Sequence, residues 1–383
     1  MSDIVLCDVN TCTQCLSCVQ SCPKACITMT EAKDGFYIPE IDTARCVKCG
    51  VCVKACHVIS DKVSYNRPLK TYACWTSSTS DREKSSSGGV FSVLARKILS
   101  RGGVVFGAYM NEELQVRHIW IDNEDDLYKL QGSKYIQSSL SDTYCEVRKF
   151  LSDGVPVLFT GTPCQISGLL CFLRKAYDNL YTCDIICHGV PSQKAFDTYI
   201  DKIGIRDVST DVSFRYTKGW GYQLAYTNSL SNTKKILWPP KAYYLKAFSD
   251  GLMTSEACYS CQYSRVERVS DITIADFWGI GKMEPFDYPT RQGVSLLLVN
   301  RDRIIPVLDD CQDLMKVERQ LQEAIIGNYN LTQATQRPGG RDSYYMDSQS
   351  MSVRKLTKKY AITASCKDYL RIIKQVIFSW IYR

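Results

Sequence analysis

The sequence predicts a small, cysteine-rich α+β domain over residues 1–60. An α/β domain follows, with a mixed, mainly parallel sheet and an antiparallel portion. Three observations predict this. Residues 12–22 and 46–56 carry the same cysteine spacing, 34 residues apart. Apolar strand-like runs, short loops and helix-like segments then alternate, which is the mark of a parallel sheet. Residues 211–237 are instead rich in aromatic and β-branched residues, with Gly219 and Gly221 at a turn, as antiparallel strands are.

The first domain follows from its spacing. Cys12, Cys15, Cys18 and Cys22 read C-x2-C-x2-C-x3-C-P, and Cys46, Cys49, Cys52 and Cys56 repeat the run with His57 in place of Pro23. This is the ligand pattern of a two-cluster 4Fe–4S ferredoxin, in which the last cysteine of each run ligates the other cluster. One cluster is therefore expected on Cys12, Cys15, Cys18 and Cys56, and the second on Cys46, Cys49, Cys52 and Cys22. Zinc would leave the third cysteine of each run without a task, and disulfides need an oxidising compartment. The domain is thus ferredoxin-like. Because such clusters move single electrons, the remaining chain is expected to take electrons or give them.

Composition sets bounds. A chain of 383 residues with 45% hydrophobic residues can bury two or three domains. Twenty cysteines follow an opening, MSDIVLCD, with neither a basic n-region nor an apolar h-region. There is no run of 18 apolar residues. The expectation is a reducing cytoplasm in an oxygen-poor cell. Residues 351–383 hold Arg354, Lys355, Lys358, Lys359, Lys367, Arg371, Lys374 and Arg383 against Asp368 alone, which is the whole formal excess of +7. The rest is neutral, which argues against a nucleic-acid surface.

The later elements follow in order. Residues 61–75 are expected as a linker, and residues 76–150 as the first part of the α/β domain. There a Ser/Thr-rich stretch ends in Gly88-Gly89. Val90, Phe91, Val93, Leu94, Ile98 and Leu99 then line a helix that Gly102-Gly103 ends, and Val104–Tyr109 is a buried strand. Residues 151–334 form the second part. Val155–Phe159 is a strand, and a helix begins with Pro163 at its favoured first position. Leu180–Ile186 is a strand, Gln193–Ile203 a helix, and 308–328 is helix-like. His118, in an apolar stretch, is expected to be structural. Residues 335–352 are polar and expected as loop within a terminal section, 335–383. In 369–382, Tyr369, Ile373, Val376, Ile377 and Trp380 can share one helical face. With the basic charges upstream, that helix could rest peripherally on the inner face of a membrane, or dock on the body or a partner.

Twelve further cysteines remain, four in suggestive places. Cys164 opens a helix after a strand, where thiolate is favoured. Cys187 ends a strand, where sheets of this kind open onto ligand crevices. Cys258 and Cys261 form a CxxC loop. These four could close around a third cluster, or Cys164 and Cys187 could be small buried hydrophobes beside an independent CxxC.

The strings SSSGGVFSVLARKIL, GSKYIQS, FTGTPCQISGL, CDIICHGVPS and CYSCQYSRVERVSDITIADFWGIG resemble the coenzyme F-420 hydrogenase/dehydrogenase beta-subunit family, over roughly residues 70–300. The resemblance implies an α/β flavin-binding domain holding FAD, or FMN, beside a third 4Fe–4S cluster on Cys164, Cys187, Cys258 and Cys261. It further implies an oxidoreductase fed by ferredoxin or another redox protein. The acceptor would be organic, either F-420-like or from a polysaccharide pathway, a small molecule or a lipid-linked one. The alternative is an electron-transfer subunit of a larger hydrogenase or dehydrogenase. Ser86, Ser87, Gly88 and Gly89 open a helix whose N–H groups and dipole suit the flavin pyrophosphate. Gln131, Lys134 and Gln137 form a flavin-region cluster. Lys134 could oppose negative charge on the ring or a phosphate, and Asp276 could move a proton or order the flavin loop. His188 could relay a proton, or tune the neighbouring cluster.

Overall fold

A computed structural model describes residues 4–60, 62–216, 223–365, 369–370, 372–374 and 377. In the N-terminal domain, Ile27–Glu31 (β1) and Tyr37–Ile41 (β2) pair antiparallel, and one short helix follows each cysteine loop, at Ser17–Gln20 and Val51–Ala55. The apolar core here is small, with Cys26, Ile27 and Cys52 at its centre, and cysteines make up much of its wall.

The body carries eleven further strands among the described residues. They are Lys70–Thr76 (β3), Val104–Met110 (β4), Val116–Ile121 (β5), Val157–Gly161 (β6), Leu180–Ile185 (β7), Ser209–Ser213 (β8), Ala225–Asn228 (β9), Thr233–Ile236 (β10), Ile272–Asp276 (β11), Ser295–Val299 (β12) and Leu314–Glu318 (β13). Eight of them form one sheet in the order β13-β3-β12-β11-β7-β6-β4-β5, and β10-β9-β8 form a small antiparallel sheet. Pairing is parallel across β4–β6, β6–β7 and β7–β11, and antiparallel elsewhere in the large sheet.

This corrects the expectation of a mainly parallel sheet, because β3, β12 and β13 add three antiparallel pairings on one side. Residues 70–75 are strand and not linker. At the start of 308–328, Leu308, Cys311 and Leu314 are all buried, as is Val307 just before them, and together they mimic one helical stripe. They belong in fact to a short helix, a turn and the strand β13. Residues 335–352 are not all loop, because Arg341–Ser350 is helical, anchored by the buried Tyr344.

Helices cover the sheet as their sequences dictate. Val90–Leu99 (α1) buries Val90, Val93, Leu94, Ile98 and Leu99, and starts at Gly89, whose φ of 89° suits glycine. Pro163–Leu173 (α2) has Pro163 in its first turn and a capping box between Thr162 and Gln165. Gln193–Ile203 (α3) is capped by Ser192, whose hydroxyl accepts from Ala195 N, and ends at Gly204 in the left-handed region. β6 runs into Cys164, β7 into Cys187, and β11 ends at Asp276. The C-terminal ends of the parallel strands therefore collect the chemistry, as sheets of this type do.

The N-terminal domain is fastened at separate points. Gln20 Oε1 accepts from Tyr144 N and Cys145 N at 2.9 and 3.2 Å. Arg341 forms an ion pair with Asp34 at the hairpin tip, 2.6 Å away, and Ser192 Oγ donates to Asp34 O at 2.7 Å. Cys15 packs directly on Gly168 of α2.

No helix among the described residues is long and apolar enough to cross a membrane. The Gly219–Gly221 turn, and Arg371, Val376, Trp380 and Arg383 of the C-terminal amphipathic stretch, lie outside the described residues.

Candidate functional site

Three cavities are walled by cysteine. The first brings together Cys12, Cys15, Cys18 and Cys56, and the second Cys22, Cys46, Cys49 and Cys52. The fourth cysteine of each run thus lines the cavity of the other run's loop. A fifth cysteine that the spacing gives no hint of stands in each. Cys7 Sγ lies 3.5 Å from Cys56 Sγ, and Cys26 Sγ lies 3.4 Å from Cys22 Sγ. Among the described residues no three His, Cys, Asp or Glu side chains converge as the ligands of one ion do. Each set of four cysteines instead lines one cavity, the donor set that a four-iron cluster takes.

Cys164, Cys187, Cys258 and Cys261 line a single cavity, although 97 residues separate the first from the last. Burial pushes the Cys164 thiol up to about 11 and Cys187 up to about 12, and holds Cys258 well above the ordinary thiol value. Four cysteines on one cavity wall are a donor set that fits an iron cluster. His188 lines the same wall, its ring edge-on to Tyr329 at 5.7 Å. Burial lowers its pKa, partly opposed by Asp276. Gln137 also belongs to this wall, and its Nε2 is buried with no partner among the described residues. The structure therefore moves Gln137 away from the cluster expected with Gln131 and Lys134.

The fourth cavity, about 840 Å³, lies between the 83–86 stretch that precedes α1, the 128–134 segment and the small antiparallel sheet. Ser86, Gln131, Lys134 and Arg215 line it. Its size is in the range of sites that hold large organic ligands. Ser86 Oγ accepts from Ser133 N at 2.9 Å, and Gln131 Nε2 donates to Ser92 Oγ of α1 at 2.9 Å. Ser87, Gly88 and Gly89 sit behind Ser86 and not on the wall. Gly88 N donates to Ser295 Oγ at 2.9 Å, and a Cβ there would collide with Cys74 O. Lys134 Nζ donates to the carbonyls of Gln131 and Lys129 at 2.8 and 3.1 Å, and burial pushes its pKa down to about 7. Asp276 is half-buried and ion-paired with Arg215 at 2.9 Å. Arg215 also donates to Ser86 O at 2.9 Å and to the Tyr135 hydroxyl at 3.2 Å. Asp276 thus reaches the cavity through Arg215.

The sequence matches the family models described as coenzyme F420 hydrogenase/dehydrogenase beta subunit, N-term over residues 71–143 and C terminus over 155–323. The chain belongs to this family. Residues 11–59 match a 4Fe–4S dicluster domain, so this family member carries its own iron–sulfur unit. Among solved structures, the F420-reducing NiFe hydrogenase complex from Methanosarcina barkeri is similar at a TM-score of 0.48 and 15% identity, covering 77% of this chain and 92% of that one. No protein with a curated description matches.

In this F420 hydrogenase/dehydrogenase family member, Arg268 ties the third cavity together. It is buried, with its guanidinium on Asp184 Oδ1 (3.1 Å), Ile185 O (3.0 Å), Tyr263 O (3.0 Å), Arg265 O (3.3 Å) and Thr273 Oγ1 (3.1 Å). One side chain thereby joins the strand leading to Cys187, the loop after Cys261 and β11. The sequence showed Arg268 only inside a longer motif, and nothing local marked Arg215. His118 is structural as expected. It stacks on Phe159 at 5.5 Å and bonds Ser138 and Thr160 O, and burial lowers its pKa to about 4.

Proposed function

We propose that the chain passes electrons from its two ferredoxin-type clusters through a third 4Fe–4S cluster to FAD and on to an organic acceptor. One observation carries this reading: Cys164, Cys187, Cys258 and Cys261 line one cavity, which shares Thr13 and Gln14 with the first ferredoxin-type cavity. Clusters supply one-electron steps, and a flavin joins such steps to two-electron chemistry. The chain's own groups hold and orient. Cys12, Cys15, Cys18 and Cys56 would hold one cluster, and Cys22, Cys46, Cys49 and Cys52 the second. The remaining set would hold the third. Ser86, Gln131, Lys134 and Arg215 would seat the flavin, with Gly88 and Gly89 letting α1 approach. Asp276 orients Arg215, and His188 packs at the third cluster's wall. A reduced redox protein such as ferredoxin is the donor in this reading. The acceptor is F-420-like or belongs to a polysaccharide pathway.

Protein purified without oxygen should contain about twelve irons per chain, as three four-iron clusters require, and close to one flavin. Reduced protein should be reoxidised by the acceptor in a rapid-mixing screen. A flavin-free preparation, or about eight irons, would overturn the reading.

A pH dependence follows from Lys134. An anion held beside its amine raises the lysine's pKa, so binding takes up a proton. Affinity for FAD should be greatest below pH 7. Above pH 7 it should fall by up to about tenfold per unit until the bound-state pKa is reached. Fluorescence titration of flavin into flavin-free protein at several pH values checks this, and Lys134→Gln should flatten the profile. The sign for stability is opposite to that of a paired lysine. The folded value lies below the unfolded one, so stability rises as pH climbs from about 7 toward the ordinary lysine value of 10.5.

A further inference from the structure

Between the first and third cysteine cavities the wall is thin. Thr13 and Gln14 belong to both. His57 lines the first and Tyr263 the third, and they meet across the gap. Tyr263 Oη lies 2.6 Å from His57 Nδ1, and His57 Nε2 lies 2.8 Å from Thr13 Oγ1, with the two ring centroids 5.6 Å apart. Gln262 Nε2 donates to Tyr263 Oη at 3.1 Å. One assignment of protons satisfies the chain of bonds: the Gln262 amide donates to the phenol, the phenol to Nδ1, and Nε2–H to the Thr13 hydroxyl. His57 directly follows Cys56, and Tyr263 stands two residues after Cys261. The bridge therefore joins the backbone of a cysteine in one cavity to that of a cysteine in the other. In the other cysteine run the matching position is Pro23, which has no side-chain donor or acceptor.

We propose that His57 and Tyr263 are a positioning pair, which fixes the first ferredoxin-type centre against the third and so sets the rate of electron transfer between them. This rests on the third-cluster reading above. The bridge itself is neither oxidised nor reduced: one electron leaves the irons of the first centre and arrives on those of the third. Both residues are buried at the junction of the two domains, so losing one bond there alters the spacing of the centres and not the ligands themselves.

The test uses full-length protein loaded without oxygen. It compares wild type with Tyr263→Phe, which keeps the ring and removes the hydroxyl. Iron content, the spin–spin splitting between the two reduced centres, and the rate of transfer by freeze-quench after mixing with dithionite are measured. Tyr263→Phe should keep about twelve irons. It should weaken the splitting and slow the transfer by up to about 100-fold, the loss that a misplacement of about 1 Å can cause in a reacting pair. His57→Ala should reproduce the loss. His57→Gln, which keeps a donor and an acceptor, should recover part of it. Full iron with unchanged rate and splitting in both Tyr263→Phe and His57→Ala would overturn the bridge alone. About eight irons in the wild type would overturn the third-cluster reading and the bridge with it.

Discussion

On the proposed third cluster, Arg268→Ala should empty the third cysteine cavity of iron while leaving the N-terminal domain loaded. Iron should fall from about twelve to about eight per chain, with the ferredoxin-type spectroscopic signals intact. Arg268 supplies five hydrogen bonds to groups that position Cys187 on one side and Cys258 and Cys261 on the other. Its partner Asp184 is fully buried, with Oδ1 on Arg268 and Oδ2 without a hydrogen-bond partner among the described residues. Removing one member of a buried pair leaves an uncompensated charge, at a cost of about 3–5 kcal/mol. Part of that cost is met by protonation, because burial already pushes the Asp184 carboxyl above its ordinary value. Thermal unfolding should register the loss. Arg268→Lys should fail as well, since a point charge cannot reach carboxylate and carbonyls on three elements at once. Asp184→Asn should cost less, because it keeps the shape. An Arg268→Ala protein that still holds about twelve irons would show that the loop and strand keep their places unaided.

The parts of this site that sequence made legible are those whose meaning is local. Two residues between cysteines suffice to wrap a cluster corner, so the eight N-terminal cysteines and their crossed grouping could be read directly. Cys164 and Cys187 were legible because a strand end before a helix or loop points to the edge where parallel sheets open. Arg215, Arg268 and Arg341 were not, because their value lies in partners 61, 84 and 307 residues away. Nothing beside an arginine announces a buried carboxylate elsewhere. The misread elements have the same cause. Leu314 continues a helical stripe in sequence, and only pairing with β3 makes it strand. Gln137 and Lys134 sit three residues apart, close enough to be read as one cluster. The backbone between them is irregular and bends at Ile136, and it carries Lys134 to the large cavity and Gln137 to the cysteine wall.

Gly168→Ala should loosen the N-terminal domain from the body and destabilise its first cluster, although helix propensity alone predicts the reverse. Gly168 lies inside α2, where alanine is better than glycine by about 1 kcal/mol. A Cβ there would stand 2.8 Å from Cys15 Cβ, 2.8 Å from Tyr144 Oη and 2.9 Å from Cys15 Sγ. None of these neighbours can easily yield. Tyr144 is fully buried and donates to Gln165 O at 2.7 Å, and Cys15 is held in its cysteine loop. Crowding of this kind costs about 1–3 kcal/mol, so the clash outweighs the propensity gain over most of that range. Strain is relieved by moving Cys15, which distorts the first cavity, or by lifting the whole N-terminal domain, which breaks the Gln20 contacts to Tyr144 and Cys145. Either route should lower the iron held by the first centre and speed proteolysis of residues 62–69, the stretch between the two domains. Gly168→Val should exaggerate both. Greater thermal stability in Gly168→Ala, with an unchanged spectrum for the first centre, would mean that the gap at this position tolerates a methyl group. The close approach of helix and cluster loop would then not be what glycine is there to permit.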